Sequence, residues 1–247
     1  MDAEPGGILY LQEFFSDSVN EITFSIKQVI EMKQYEGRHF LFKYESQDCE
    51  FAQSVIKIAE SMYYKVSWDF DIDPDTELFT LIICPNTETF IIEAEKSTES
   101  YQSWMVGNAN YEKRKLCILS PFASDRSIDE MLAVVRHEVV HIAFGKVSDK
   151  SPDDISPLIS EGGAVYLAEQ VYPNLLDKST RPDALKLNDE DYFYDNDGYN
   201  YSGVYMGYLI RKYGKEIYKK IYSENEPLEK YLYNGFENDA IDSFVMK

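Results

Sequence analysis

The chain has 247 residues, 44% of them hydrophobic and 15% aromatic, which supplies apolar side chains for a sizeable core and argues against general disorder. Its formal net charge is −20, from 44 acidic and 24 basic residues, so it lacks the basic footprint of a nucleic-acid-binding protein and suits an anionic membrane surface poorly. The three cysteines, Cys49, Cys84 and Cys117, lie far apart and indicate neither a disulfide framework nor a cysteine-rich zinc site.

Residues 1–36 form an N-terminal segment whose structure the sequence leaves open, apart from a helical pattern at Ile22–Met32. The segment has no basic stretch followed by an apolar run, the pattern of a signal peptide. No part of the chain approaches the roughly 18 consecutive apolar residues of a membrane-spanning helix. We therefore expect a cytoplasmic protein with neither nucleic acid nor membrane as a partner.

Strands and helices are mixed in the next part of the chain. Apolar, β-branched and aromatic runs that end at turn residues predict strands, and apolar residues at helical spacing predict helices. The predicted strands are His39–Glu45, Glu77–Cys84 and Lys115–Pro121, and the predicted helices are Asp48–Tyr64 and Thr87–Glu95.

Two further helices have well-marked beginnings. Ser127 predicts an N-cap because Glu130, three residues later, completes a capping box, and Gly145 is predicted to end this helix in the C′ position. Ser156 and Pro157 predict the N-cap and the first residue of the helix that follows.

The order of these elements predicts the fold class. Mixed strands and helices come first, and from Tyr199 onward the pattern is helical alone. This order predicts an α+β fold of two lobes. We expect residues 37–148 to form an α+β lobe that ends in the Ser127-capped helix, and residues 149–247 to form a helical lobe.

The segment Val134–Gly145 contains His137, Glu138 and His141, and thus two of the three histidines of the chain. Residues four apart lie on one face of a helix, so His137 and His141 can direct their imidazoles at one metal ion. Glu138 lies beside this face without occupying it, where a carboxylate can act as a base in hydrolysis. The pattern HExxH therefore favours a catalytic zinc site over two buried structural histidines.

A third ligand is predicted on the next helix, where Glu161 follows His141 by twenty residues. Two histidines and one glutamate leave the fourth position of zinc open, which is typical of catalytic sites. Gly162 and Gly163 weaken a helix, and we interpret them as allowing the two metal-bearing helices to pack closely.

HExxH followed by S-E-G-G-A resembles the gluzincin metallopeptidases, which include thermolysin-like, aminopeptidase-like and small peptidase MA-like proteins. The resemblance implies a zincin-like two-lobed catalytic domain with one zinc ion per chain. It also implies that His137, His141 and Glu161 bind the ion and that Glu138 is the catalytic base. The function it implies is hydrolysis of a peptide or protein substrate.

The resemblance extends upstream of the motif. Gly107, Asn108, Ala109 and Asn110 match the segment that binds substrate in these enzymes, and we expect the substrate backbone to add along the strand Lys115–Ser120. Aminopeptidases carry a glutamate for the free amine of the substrate where this chain has Asn110. Because an amide does not pair with an ammonium group as a carboxylate does, an endopeptidase is the better prediction.

The resemblance also extends downstream, where Tyr199–Leu209 is similar to a family helix whose tyrosine stabilises the oxyanion. Matched in this way, the tyrosine is Tyr199. Thermolysin-like members have an aspartate that orients a zinc histidine, at the position of Val165 in this chain. The partner of the histidines must therefore come from another part of the sequence.

Other interpretations remain open. A non-catalytic module could keep the zinc for stability or partner binding, and a zinc hydrolase could act on a non-peptide amide. The acidic stretch 189–197 and its continuation to Asn200 invite a calcium site, but Phe193 and Val204 stand where an EF-hand needs acidic ligands. We interpret this stretch as a solvated loop near the cleft.

Overall fold

A computed structural model describes residues 32–148, 155–223 and 226–245. In these residues the chain forms one five-stranded mixed sheet and eight α-helices, so the α+β class predicted from the sequence is confirmed. The predicted helix Ile22–Met32 lies outside the described residues except for Met32. No helix within these three ranges is both long and apolar enough to cross a membrane.

The sheet has the strand order β1-β2-β3-β5-β4, and its strands are β1 (Lys33–Glu36), β2 (Phe40–Tyr44), β3 (Phe79–Cys84), β4 (Gly107–Asn110) and β5 (Lys115–Leu119). Strands β2, β3 and β5 run parallel, and β1 and β4 add antiparallel at the two edges. The three parallel strands match the three predicted ones. β3 and β5 are apolar runs that are largely buried on both faces, and β2 begins with buried and half-buried residues in alternation.

The helices are α1 (Cys49–Asp69), α2 (Thr87–Glu93), α3 (Ile128–Gly145), α4 (Pro157–Leu167), α5 (Glu190–Asp195), α6 (Gly198–Tyr213), α7 (Lys215–Ser223) and α8 (Phe236–Val245). Helix α3 packs against α1 and against β4 and β5 of the sheet, and α4 packs along α6. Helices α3 and α4 also contact each other. The sheet with α3, and α4 with α6, thus supply the walls of the site described below.

The beginning of α3 is as predicted, and its end is not. The Ser127 hydroxyl accepts a hydrogen bond from the Glu130 backbone N–H at 3.3 Å, and the Glu130 carboxylate accepts one from the Ser127 backbone N–H at 2.7 Å, which completes the capping box. Gly145 is the last residue of the helix and lacks the positive φ of a C′ glycine. A β-carbon at this position would collide with the side chain of Tyr111, so close packing is the reason for the glycine.

Helix α4 begins with Ser156 and Pro157 as predicted, but its two glycines have another role than the predicted one. A β-carbon on Gly162 would lie 2.6 Å from the backbone oxygen of Ser202 in α6, and one on Gly163 would collide with the hydroxyl of Tyr218 in α7. The glycines therefore bring α4 close to α6 and α7, and not to the other helix of the metal motif.

Candidate metal centre

The side chains of His137, His141 and Glu161 converge between α3 and α4. His137 Nε2 lies 3.0 Å from Glu161 Oε2 and 3.0 Å from His141 Nε2, and His141 Nε2 lies 3.5 Å from Glu161 Oε1. One turn of α3 separates the two histidines, which places both rings on the face that α4 approaches. Among the described residues, this is the only group of three or more His, Cys, Asp or Glu side chains that could hold a metal ion. The acidic stretch 189–197 therefore forms no second group of this kind.

The spacing of the three side chains fits a single ion. A tetrahedral ion with bonds of about 2.0–2.1 Å holds its donor atoms about 3.4 Å apart. The two Nε2 atoms lie 3.0 Å apart, and each has a Glu161 oxygen close to it, Oε2 at 3.0 Å from His137 and Oε1 at 3.5 Å from His141. Two imidazole nitrogens and one carboxylate oxygen are a donor set that transition metals such as zinc accept.

The tautomer of His137 also favours a cation. His137 Nδ1 lies 2.8 Å from Gln170 Oε1, and an amide oxygen can only accept, so Nδ1 carries the proton. When the ring carries no second proton, its Nε2 atom directs a lone pair at the Glu161 carboxylate and the second imidazole. Such electron-rich groups repel at 3.0 Å unless a proton or a metal ion lies between them.

Gln170 reaches His137 because α4 ends in a Schellman motif. The backbone N–H of Gln170 donates to the Val165 carbonyl at 2.9 Å, and that of Glu169 donates to the Tyr166 carbonyl at 3.2 Å, which is the pairing of this motif. Glu169 takes the left-handed conformation that glycine usually occupies there, with φ 61°. Nothing in the sequence marks this ending, so Gln170 is a site residue that the sequence analysis missed.

A contact between the two helices holds this ending in place. The guanidinium of Arg136, the residue before His137, donates from Nε to the Ala168 carbonyl at 3.2 Å. Because Ala168 is the C-cap of α4, this bond ties the end of α4 to the metal-facing turn of α3. For His137, the partner that Val165 cannot offer is thus supplied by Gln170.

The carboxylates of Glu138 and Glu161 have opposite pKa shifts. Glu138 is 9% exposed, and burial raises its pKa to about 7. Burial also acts on Glu161, but the charges and hydrogen bonds of His141 and His137 outweigh it and hold the pKa of Glu161 well below its usual range. Glu161 is therefore an anion suited to bind a cation, and Glu138 is a carboxylate suited to exchange protons near neutral pH.

Tyr199 lies beside this cluster, with its ring centroid 6.4 Å from that of His137. Burial, and next the Glu161 carboxylate, raise the pKa of Tyr199 far above its usual range, so its hydroxyl keeps its proton and can donate. The neighbouring tyrosines of α6 point elsewhere, since the hydroxyls of Tyr201 and Tyr205 donate to the backbone carbonyls of Asp177 and Pro182.

A cleft of about 640 Å³ opens over the cluster. Glu138, Tyr199 and the strand residues Gly107, Asn108 and Ala109 line it. Asn110 is not among the lining residues; its side-chain oxygen accepts a hydrogen bond from the backbone of Lys113 at 2.9 Å. Asn110 is therefore the last residue of β4, and its side chain caps the turn to β5.

The strand along which the substrate was expected to add is not at an edge of the sheet. Strand β5 pairs with β3 on one side and with β4 on the other, so the expectation for Lys115–Ser120 is wrong. The sequence GNAN of β4 has little β-propensity and gave no sign of a further strand. Among the described residues, the strand at the edge of the sheet next to the cluster is β4.

Comparison with known proteins adds no family to this description. No family model matches the chain, and no curated protein matches it. Evidence for a function therefore comes from the residues of the site.

Proposed function

We propose that this protein is a zinc-dependent metallopeptidase of the gluzincin type, more specifically an endopeptidase with a zincin-like two-lobed catalytic domain. The observation that carries the proposal is the convergence of His137, His141 and Glu161, with the buried Glu138 beside them and outside the donor set. In the zincin-like arrangement, the sheet and α3 form one side of the cleft and the helices from α4 onward form the other.

His137, His141 and Glu161 would hold the zinc ion. When bound, zinc supplies Lewis acidity, which polarises a carbonyl oxygen and makes water more acidic. Gln170 holds the His137 ring so that its Nε2 atom faces Glu161 and His141, with which it would hold the ion. Glu138 accepts a proton from the attacking water and delivers it to the nitrogen of the leaving amine. The Tyr199 hydroxyl donates a hydrogen bond to the oxyanion that forms on the substrate.

The outer edge of β4, which pairs with no strand in the part of the chain that the structure describes, provides a template for a peptide backbone. Leu119 N donates to Val106 O at 2.8 Å, so Gly107 and Ile118 face each other as a pair without mutual hydrogen bonds. The N–H and C=O groups of Gly107 and Ala109 consequently point away from β5. An extended substrate can pair with them.

Packing at Gly107 brings this strand close to the base. A β-carbon at Gly107 would lie 2.5 Å from Glu138 Oε1, so no side chain fits between β4 and the carboxylate. A backbone paired to β4 would therefore pass directly beside Glu138. This favours a peptide over a non-peptide amide, and a catalytic site over a purely structural one.

The metal content of the purified protein tests the site. We expect about one zinc ion per chain, and replacement of His141 by Ala should bring the content toward zero because one of three protein ligands is lost. Elemental analysis of the wild-type chain and of His141→Ala measures both. A substituted chain that holds zinc as tightly as the wild type would contradict the assignment.

Gln170→Leu is expected to lower zinc affinity by about 10–100-fold, the usual cost of losing the partner of a metal-binding histidine. Leucine keeps the volume but cannot accept the Nδ1 proton. Competitive titration with a chelating indicator measures the change. Gln53→Leu, at an exposed position of α1, is the control. Wild-type affinity in Gln170→Leu would remove Gln170 from the site.

Acetylated and free peptides of one sequence should be cut at similar rates. The reason is that β4, with the sequence GNAN, carries no carboxylate to bind the substrate's amine. Product analysis by mass spectrometry compares the two peptides. If single residues were released from the free peptide and not from the acetylated one, another acidic side chain would bind the substrate's amine. Glu190 and Asp197, which line the cleft, are the candidates.

A further inference from the structure

Two exposed aromatic side chains meet over the cleft. Trp104 precedes β4 and Tyr194 lies in α5, and their ring centroids are 5.4 Å apart. Both rings also contact Tyr199, at 6.5 Å and 6.2 Å. Trp104 remains 43% exposed and Tyr194 remains 48% exposed. A large apolar surface that stays open to solvent inside a cleft is typical of a ligand-binding site.

Contacts with neighbouring residues fix the positions of Trp104 and Tyr194. The buried Phe193 packs edge-on against Tyr199 at 5.0 Å and against Tyr194 at 5.6 Å. Arg126 donates from Nη2 to the Trp104 carbonyl at 3.1 Å, which fixes the backbone that carries the indole. A surface positioned in advance loses little conformational freedom when it binds a ligand.

The ring of Tyr199 lies between this aromatic pair and the metal centre. Tyr199 contacts His137 on one side and Trp104 on the other. Trp104 is three residues before Gly107, the first residue of β4. A peptide paired with β4 advances about 3.3 Å per residue, so a side chain one or two residues from the cleaved bond reaches the two rings.

Charge gives the cleft no comparable selectivity. Apart from Glu138 and Glu161 at the metal centre, its charged lining residues are Lys96 and Arg126, which are cationic, and Glu190 and Asp197, which are acidic. The two signs offset each other, whereas the exposed rings form one continuous apolar surface.

We propose that Trp104 and Tyr194 form a subsite that binds an aromatic or other large apolar side chain of the substrate, one or two residues from the cleaved bond. The proposal rests on the proposed peptidase function and names the class of substrate that this site selects. Aromatic rings favour such partners because offset and edge-to-face contacts add to the burial of apolar area.

Cleavage of blocked peptides in matched pairs tests the subsite; the two members of a pair differ only by Phe or Ala at one position, and the pairs together move that position along the peptide. We expect the wild type to cut the Phe peptide with a kcat/KM about 10-fold or more above the Ala peptide. Trp104→Ala should remove most of this ratio, mainly through KM, with zinc content unchanged. Phe122→Ala, at a residue that is 72% exposed and not among those lining the cleft, should keep it.

A binding measurement separates this proposal from the peptidase function. The chain has two tryptophans, so Trp68→Phe leaves Trp104 as the only indole reporter. Titration of this variant with the Phe peptide should change its fluorescence at about 10-fold lower concentration than the Ala peptide. If binding discriminates but nothing is cut, the peptidase function fails and the subsite stands. Equal binding of the Phe and Ala peptides would overturn the subsite. So would a Trp104→Ala variant that loses kcat/KM by the same factor on both peptides.

Discussion

Glu138→Gln is expected to slow peptide hydrolysis by roughly 10²–10⁴-fold, the usual contribution of a general acid–base group. Glutamine has the same shape but cannot accept a proton from water. The fold and the zinc content should be unchanged, because Glu138 lies outside the donor set and a neutral amide costs less to bury than a carboxylate. Steady-state kinetics on zinc-loaded protein, with metal analysis of the same sample, measures both.

The matched control is Asp129→Asn, which makes the same chemical change at an exposed position of α3. It should retain nearly the full rate. If Glu138→Gln turned over peptides as fast as this control, Glu138 would have no part in the reaction.

Tyr199→Phe is expected to lower kcat by about 10²–10³-fold, as observed when one oxyanion donor is lost. The substitution removes one oxygen atom and leaves the ring contacts with His137 and Trp104 in place. Zinc content and stability should hardly change. The effect should fall on kcat more than on KM, since the hydrogen bond is made to a charge that develops during the reaction.

Tyr201→Phe is the control for this prediction. It breaks the hydrogen bonds that the Tyr201 hydroxyl makes with the backbone of Asp177, both 3.0 Å long, and should cost about 1 kcal/mol of stability. Its rate per zinc-loaded chain should stay close to that of the wild type. A normal rate in Tyr199→Phe together with a large loss in Tyr201→Phe would show that the wrong tyrosine is assigned.

Features that depend on neighbours along the chain could be predicted from the sequence. The Ser127 capping box, the four-residue spacing of His137 and His141, and the apolar runs of β2, β3 and β5 are all local patterns. Glu161 was predicted from its spacing of twenty residues after His141 and from the resemblance of S-E-G-G-A to the gluzincins, and it lies beside the two histidines. The structure brings these residues together as the patterns indicated.

Features that depend on tertiary contacts could not be predicted. Strand β4, with the sequence GNAN, lacks an apolar pattern, and without β4 the sequence predicts that β5 lies at the edge of the sheet. Glycine is required at position 162 because α4 lies close to the backbone of α6 there, and no local pattern reveals this contact. Gln170 reaches His137 only because Glu169 adopts a left-handed conformation. In each case the position of the residue depends on a partner that is distant in sequence or on a rare backbone conformation.

Digestion of a mixed peptide library before and after metal removal tests the central claim most directly. The zinc-loaded chain should cut internal peptide bonds, the chelator-treated chain should cut none, and about one equivalent of added zinc should restore cleavage. Cleavage that persists at the same rate in the metal-free chain, or a zinc-loaded chain that cuts no peptide in the library, would contradict the assignment of this site as a zinc peptidase.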